Sequence, residues 1–194
     1  MAYAPVNGTQ IYYRTYGQGL PMVLVHGNGS NHLTWVYQTT YFSRWYRTIT
    51  PDLRGFGNTV DVHNGPYVTA ATDDFVGLLD HLGIDRAIVV AHSLGGRLML
   101  PAAVQHPDRL LALVMIGSSG GLDMPGPFND GYSESRKAIN TLPTNHRYLS
   151  PGFVHRNPAL SQVHMELATL DVGNPRRRSG FPPLPKVEPA DLQK

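Results

Sequence analysis

An α/β architecture, with a doubly wound and mostly parallel sheet, is what this sequence predicts. Two observations carry that expectation. Short apolar runs rich in β-branched residues recur through residues 1–119, and each stops at a Gly, Pro or Asp signal. Between the later runs lie segments whose apolar residues recur at helical spacing. Strands alternating with helices argue for parallel strands joined by crossover helices. The runs are continuous rather than alternating, as expected of strands buried on both faces.

Thr9–Tyr16 is rich in β-formers and is bracketed by Asn7-Gly8 and Gly17-Gln18-Gly19, so it reads as a strand. Pro21–His26 is a short apolar run ending at Gly27, and Tyr46–Thr50 is a weaker one closed by Pro51-Asp52. Thr69–Leu82 places Phe75, Leu78, Leu79 and Leu82 on one helical face, with Gly83 as the stop. Ala87–Val90 is the next buried strand. Leu94–Gln105 reads as a helix, loosened by Pro101, which removes one hydrogen bond. Leu110–Ile116 is the last strand. Gly120–Pro127 reads as a linker, and weak helical signals follow at Glu134–Leu142 and Ala159–Leu170. Residues 173–194 hold five prolines and Arg176-Arg177-Arg178, a composition for irregular chain. No internal repeat is visible.

Composition narrows the function. Hydrophobic content of 41% and charged content of 15% over 194 residues suit one globular domain. The net charge of +2 implies no nucleic-acid surface, and the tri-arginine run reads as solvated. With no cysteine, disulfides, thiolate catalysis and Cys-based zinc sites are excluded. His155 and His164 are nine residues apart and no metal-ligand spacing recurs, so no metal site is expected. The N-terminus lacks the basic and apolar regions of a signal peptide, and no apolar run approaches the ~20 residues that span a bilayer. A cytoplasmic protein without membrane contact is the expectation.

The most informative stretch is Ala87-Ile88-Val89-Val90-Ala91-His92-Ser93-Leu94-Gly95-Gly96-Arg97-Leu98. An apolar run stops at one serine held between small residues, and a helical pattern begins at once. Such a strand-to-helix turn strains the Ser93 backbone, so bulky residues two before and two after it would collide; here they are Ala91 and Gly95. A serine hydroxyl is a poor nucleophile that needs a base and donors aimed at the oxyanion it creates. The N–H of Leu94, at a helix N-terminus, suits one donor position. His26-Gly27-Asn28-Gly29 follows the Val23–Val25 run, and the Asn28 N–H suits the other. Gly27-Asn28-Gly29 lacks the third glycine of a dinucleotide fingerprint, so no cofactor is read from it.

Three motifs, His26-Gly27-Asn28-Gly29, Asp52-Leu53-Arg54-Gly55-Phe56-Gly57 and Ala91-His92-Ser93-Leu94-Gly95-Gly96, together resemble the α/β-hydrolase superfamily in order and spacing. Gln105-His106-Pro107-Asp108-Arg109-Leu110, leading into the last strand, matches as well, and the set covers residues 8–119. The nearest subgroup is similar to the small esterases, lactonases and carbon–carbon-bond hydrolases. The resemblance implies an eight-stranded sheet, a helical cap after the sixth strand, no cofactor and acyl-enzyme chemistry. It also implies a serine nucleophile, unlike the carboxylate of the dehalogenase and epoxide-hydrolase branches.

This chain departs from the pattern in two places. Ala91 stands where Gly is usual, as in some lipases of the superfamily. More seriously, the family order places the acid and the histidine after the nucleophile, with the histidine beyond the last strand. Leu184-Pro185-Lys186-Val187 resembles the lead-in to a seventh strand, and the sequence stops at Lys194. The expected organisation is therefore a hydrolase core at 1–119, a partial helical cap at 120–172 and a Pro/Arg-rich irregular tail at 173–194, truncated after the start of the cap. Asp123 occupies a place where some relatives carry the acid. His146, His155 and His164 lie in the cap-like segment and are the remaining candidates for a base, while His26 and His92 are expected to pack or hydrogen-bond locally. Asp52 and Arg54 are expected to form a structural turn beside the site. Trp35, Tyr37, Phe42 and Trp45 are expected to pack the helix after the oxyanion loop, with Trp35 also a candidate substrate-lining residue.

Two functions follow as expectations. One is a serine hydrolase of small esters, lactones or related carbonyl compounds, with Ser93 as nucleophile and Asn28 and Leu94 as oxyanion donors. The other is a noncatalytic homologue, either a fragment or a binding module. The edge of the sheet at Leu110–Ile116 is expected to be open, apolar and prone to pairing with another chain.

Overall fold

The computed structural model describes residues 2–62, 64–122, 126–141, 149–169, 182–184 and 186–193. Six strands form one sheet: β1 (Ala2–Val6), β2 (Thr9–Tyr16), β3 (Leu20–Val25), β4 (Tyr46–Pro51), β5 (Ala87–His92) and β6 (Leu110–Ile116). Their spatial order is β1-β2-β4-β3-β5-β6. The four strands β4, β3, β5 and β6 are mutually parallel, and β1 and β2 add an antiparallel hairpin at one edge.

Strand β1 has no counterpart in the sequence expectations, because Pro5 breaks a short segment that lacks a clear period. As the outer strand of the sheet it tolerates a residue without an N–H. The Asn7-Gly8 turn closes the hairpin with both residues at positive φ, 44° and 77°.

Six helices are described: α1 (Val36–Phe42), α2 (Ala71–His81), α3 (Leu94–Gln105), α4 (Gly126–Asn140), α5 (Pro151–Arg156) and α6 (Pro158–Thr169). Helix α3 has the bounds its pattern predicts and continues through Pro101. Helix α2 takes up the later part of the predicted span, after a 3-10 turn at Tyr67–Ala70. A second 3-10 turn, His32–Trp35, leads into α1, and the Asn31 side chain caps it by accepting from the Leu33 N–H at 2.9 Å.

The main core lies between the sheet and α2 and α3. Val23, Val25, Ile49, Ala87, Val89 and Ala91 from the strands meet Phe75, Leu78, Leu79, Leu94, Leu98 and Met99 from the helices. Leu184 packs against this cluster, and Val187 is buried. On the other face Met22, Leu24 and Trp35 form a smaller cluster, with Phe42 and Tyr46 against it. Tyr37 and Trp45, expected to pack there, are exposed instead. Helix α1 is only two turns long and turns one narrow stripe to the sheet, so Tyr37, off that stripe, meets solvent, while Trp45 follows the helix and stands edge-on against Tyr41.

Strand β6 also differs from its apolar pattern. It is the outer strand opposite β1, and Leu111, Val114 and Ile116 are 42%, 47% and 45% exposed. Its run therefore reads as doubly buried, yet among the described residues no strand pairs its outer side.

Candidate functional site

Ser93 sits at the junction of β5 and α3 with φ 50° and ψ −111°. A non-glycine residue at such a φ is strained, and the surrounding contacts hold it there. Its N–H donates to the Ile116 carbonyl at 2.9 Å, tying the turn to the end of β6. Its carbonyl accepts from Gly96 and Arg97 at 3.1 and 3.3 Å, which starts the helix.

The loop after β3 presses on this turn. A Cβ on Gly27 would stand 2.9 Å from His92 Nδ1 and 3.1 Å from Ser93 Cβ, so only glycine allows the approach. A Cβ on Gly95 would stand 2.8 Å from the carbonyl oxygens of both Val25 and His26. The residue after Gly27, Asn28, is exposed. The N–H groups of Asn28 and Leu94 have no acceptor among the described residues.

His26 holds the loop. Its ring is fully buried, Nδ1 donates to the Gly27 carbonyl at 2.8 Å, and Nε2 accepts from the Leu53 N–H at 3.0 Å. Because the Leu53 N–H can only donate, the proton resides on Nδ1. Local bonding of this imidazole agrees with the sequence expectation. His92, by contrast, packs without bonding: its buried Nδ1 has no partner among the described residues. Burial, and secondarily the charge of His164, push the His92 imidazole below its ordinary value. His164 lies on α6. Asn31 links the same helix to the loop, donating from Nδ2 to the Leu167 carbonyl at 3.2 Å.

Asp52, at the end of β4, is fully buried. Its Oδ1 accepts from the His32 N–H at 2.6 Å and contacts His32 Nδ1 at 2.9 Å. Oδ2 accepts from the Asn58 N–H at 2.8 Å and from its side-chain amide at 3.2 Å. Burial alone would raise the carboxyl, but the bonds from His32 and Asn58 and the field of His32 and His26 outweigh it and hold it below the usual value. Arg54 points elsewhere. Its guanidinium, 1% exposed, bonds both oxygens of Asp74 at 2.8 and 2.7 Å, Asp61 at 3.3 Å and the Asn7 carbonyl at 3.0 Å. The motif is thus two separate anchors, one for the loop and one joining the hairpin turn to α2.

Among the described residues no imidazole is hydrogen-bonded to Ser93 Oγ. His155 lies exposed on α5, and His164 is exposed on α6. Asp123 and His146 lie outside the described residues, as does the tri-arginine run. Trp35 is 4% exposed in the small core, so it lines no open surface, although its Nε1 has no partner among the described residues. The His32–Asp52 pair and the Asn31–Leu167 link escaped sequence reasoning. The only sequence signal for Asn31 is a capping residue before Leu33, and nothing local marks Asp52 as its neighbour's anchor.

A family model described as alpha/beta hydrolase fold matches residues 21–174. The chain belongs to the α/β-hydrolase fold family. The 2-hydroxymuconate semialdehyde hydrolase of Pseudomonas sp. (strain CF600) is 32% identical over 135 residues, which are 64% of this chain and 48% of that protein. Epoxide hydrolase 2 of Siraitia grosvenorii is 38% identical over 112 residues, 56% of this chain and 35% of the relative. Among solved structures, Est816, described as an N-acyl homoserine lactone degrading enzyme, superposes with a TM-score of 0.68 at 28% identity, covering 86% of this chain and 64% of its own. This α/β-hydrolase chain thus spans about half or less of the length of these two curated relatives. Within the described residues none of its helices is long and apolar enough to cross a membrane.

Proposed function

We propose that the chain carries the nucleophile and oxyanion-binding half of a serine hydrolase acting on a small ester, lactone or related carbonyl substrate. Ser93 Oγ attacks the carbonyl carbon, and the leaving group departs from a tetrahedral intermediate to give an acyl-enzyme that water hydrolyses. The N–H groups of Leu94 and Asn28 receive the oxyanion, aided by the dipole of α3. The observation that carries this reading is the strained φ of 50° at Ser93 with Gly27 pressed against it. The similarity to a semialdehyde hydrolase and to a lactone-degrading enzyme supports a carbonyl substrate.

The reaction needs a base within reach of Ser93 and a carboxylate to orient it. His26 and His32 are committed to Leu53 and Asp52, so neither is that base. Asp123 is the proposed acid by position alone. The commitment of both loop histidines favours a second reading, in which the chain is a noncatalytic binding module of this family. A fluorophosphonate probe decides between them. Rapid labelling that disappears in Ser93→Ala supports the hydrolase. A serine lacking its base retains only about 10³–10⁴-fold acceleration over water, so labelling no faster than that of a surface serine overturns it.

A further inference from the structure

On the face of the sheet opposite the main core, β2 and β4 stand apart from the His32–Trp35 turn and α1 and leave a cavity of about 370 Å³. Ser93, Asn28 and Leu94 take no part in its lining. Its volume lies within the range of about 300–1,000 Å³ typical of small-molecule sites.

The lining has one ionised side chain and no carboxylate. Arg14 supplies the charge, and its guanidinium bonds only phenols, Nε to the Tyr16 hydroxyl at 2.9 Å and Nη1 to that of Tyr12 at 3.3 Å. Among the described residues no carboxylate lies within 4 Å of it. The Tyr16 ring lies 5.7 Å from the guanidinium carbon and, with the two bonds, fixes the plane of the group. Nη2 keeps its donors unused among the described residues. An arginine held flat with an open donor edge is preorganised for a carboxylate, whose two oxygens match its fork.

A second observation is independent of the charge. Thr39 and Thr50 line the same cavity, are 9% and 2% exposed, and their hydroxyls have no partner among the described residues. Neither oxygen is among the buried unpartnered atoms, so water reaches both hydroxyls through the cavity and a bound ligand would take that water's place. Leu33 and Val36 complete the wall with apolar surface.

We infer that this cavity is a binding site for a small carboxylate with an apolar body, its carboxylate on Arg14 and the threonine hydroxyls and its body against Leu33 and Val36. The site is separate from the serine turn but mechanically joined to it. His32 lines the cavity and is held through its N–H and Nδ1 by Asp52, at the far end of the loop that carries Asn28. A bound acid therefore touches the anchor of that loop.

Calorimetric titration of the purified chain with benzoate, benzamide and inorganic phosphate tests the assignment. Benzoate is expected to bind saturably, and benzamide, which has the same body without the charge, at least about tenfold more weakly. Arg14→Gln is expected to lower benzoate affinity by at least about tenfold while leaving the thermal midpoint unchanged. Val36→Asp, at an exposed position on the mouth, repeats the test by repulsion should the arginine variant fold poorly. Equal binding of benzoate and benzamide, phosphate binding as tight as benzoate, unchanged affinity in a folded Arg14→Gln, or no saturable benzoate binding would each overturn it. Retained benzoate binding in Ser93→Ala distinguishes this site from the serine turn, and loss of binding there refutes it.

Discussion

Replacing Ser93 by glycine rather than alanine isolates the strain in the turn from its chemistry. Both substitutions remove the hydroxyl, and both are expected to abolish fluorophosphonate labelling. Alanine retains the Cβ that disfavours φ 50°, whereas glycine does not. Holding a non-glycine residue in such a region costs about 1–3 kcal/mol. Against that, glycine loses about 0.5–1 kcal/mol relative to alanine through the freedom of its unfolded chain. Ser93→Gly should therefore be more stable than Ser93→Ala by up to about 2.5 kcal/mol, whereas at an ordinary position the order is reversed. Urea denaturation of the two variants with an unchanged slope reads the difference directly. In a chain of this size it corresponds to a rise of about 2–4 °C in Tm for each kcal/mol. If the glycine variant is less stable than the alanine variant, as at an ordinary position, Ser93 is not strained, and the elbow reading fails with it.

Three other outcomes follow from the buried charges and the open edge. Arg54→Met leaves Asp74 and Asp61 facing each other without their cation and should cost about 3–5 kcal/mol in chemical denaturation. Asp52 is held below its ordinary value of 3.8, so its contribution is present above that pH and disappears as pH falls through the lower folded value. Asp52→Asn should accordingly destabilise the chain at neutral pH, and its deficit should shrink in acid; a deficit independent of pH would contradict the assignment. His92 behaves in the same sense, since its folded value lies below 6.5 and its neutral state stabilises the fold only above that range. His164→Gln should raise the His92 value in an NMR titration without restoring it fully, because burial is the larger cause. Finally, the exposed apolar face and free outer side of β6 should cause self-association in light scattering, and Val114→Lys should reduce it; a monodisperse wild-type chain at high concentration would count against this.

The parts of the fold legible in the sequence are those whose causes are local. Helix α3 has the bounds its pattern predicts because its start is set by the serine turn and its end by His106-Pro107. Strands β2 and β6 likewise have the bounds their residues predict, since β2 is rich in Thr, Ile and Tyr between turn residues and β6 is an unbroken apolar run. The turn at Ser93 is legible for the same reason: an abrupt turn imposes small neighbours within two residues, and that demand is written in adjacent letters.

What could not be read depends on partners far along the chain. Strand β1 is stabilised by pairing with β2 and by Ala4 and Val6 packing into the main core, so Pro5 hides it from any propensity argument. The exposure of β6 is a property of what lies beside it, and its own residues carry the same apolar pattern whether covered or not. His32 and Asp52 are 20 residues apart, and Asn31 and Leu167 are 136 apart. No period or spacing connects such pairs, because the register between β3 and β4 and the docking of α6 decide them. The loop at Asn28 is consequently shaped from three directions: His26 beneath it, Asp52 at its far end and α6 above it through Asn31. A serine turn is thus a local invention of the sequence, whereas the position of the Asn28 loop facing it is a tertiary property. On the proposed function, substitutions at Asp52 or Asn31 should therefore slow fluorophosphonate labelling by displacing Asn28, while leaving the Ser93 turn in place.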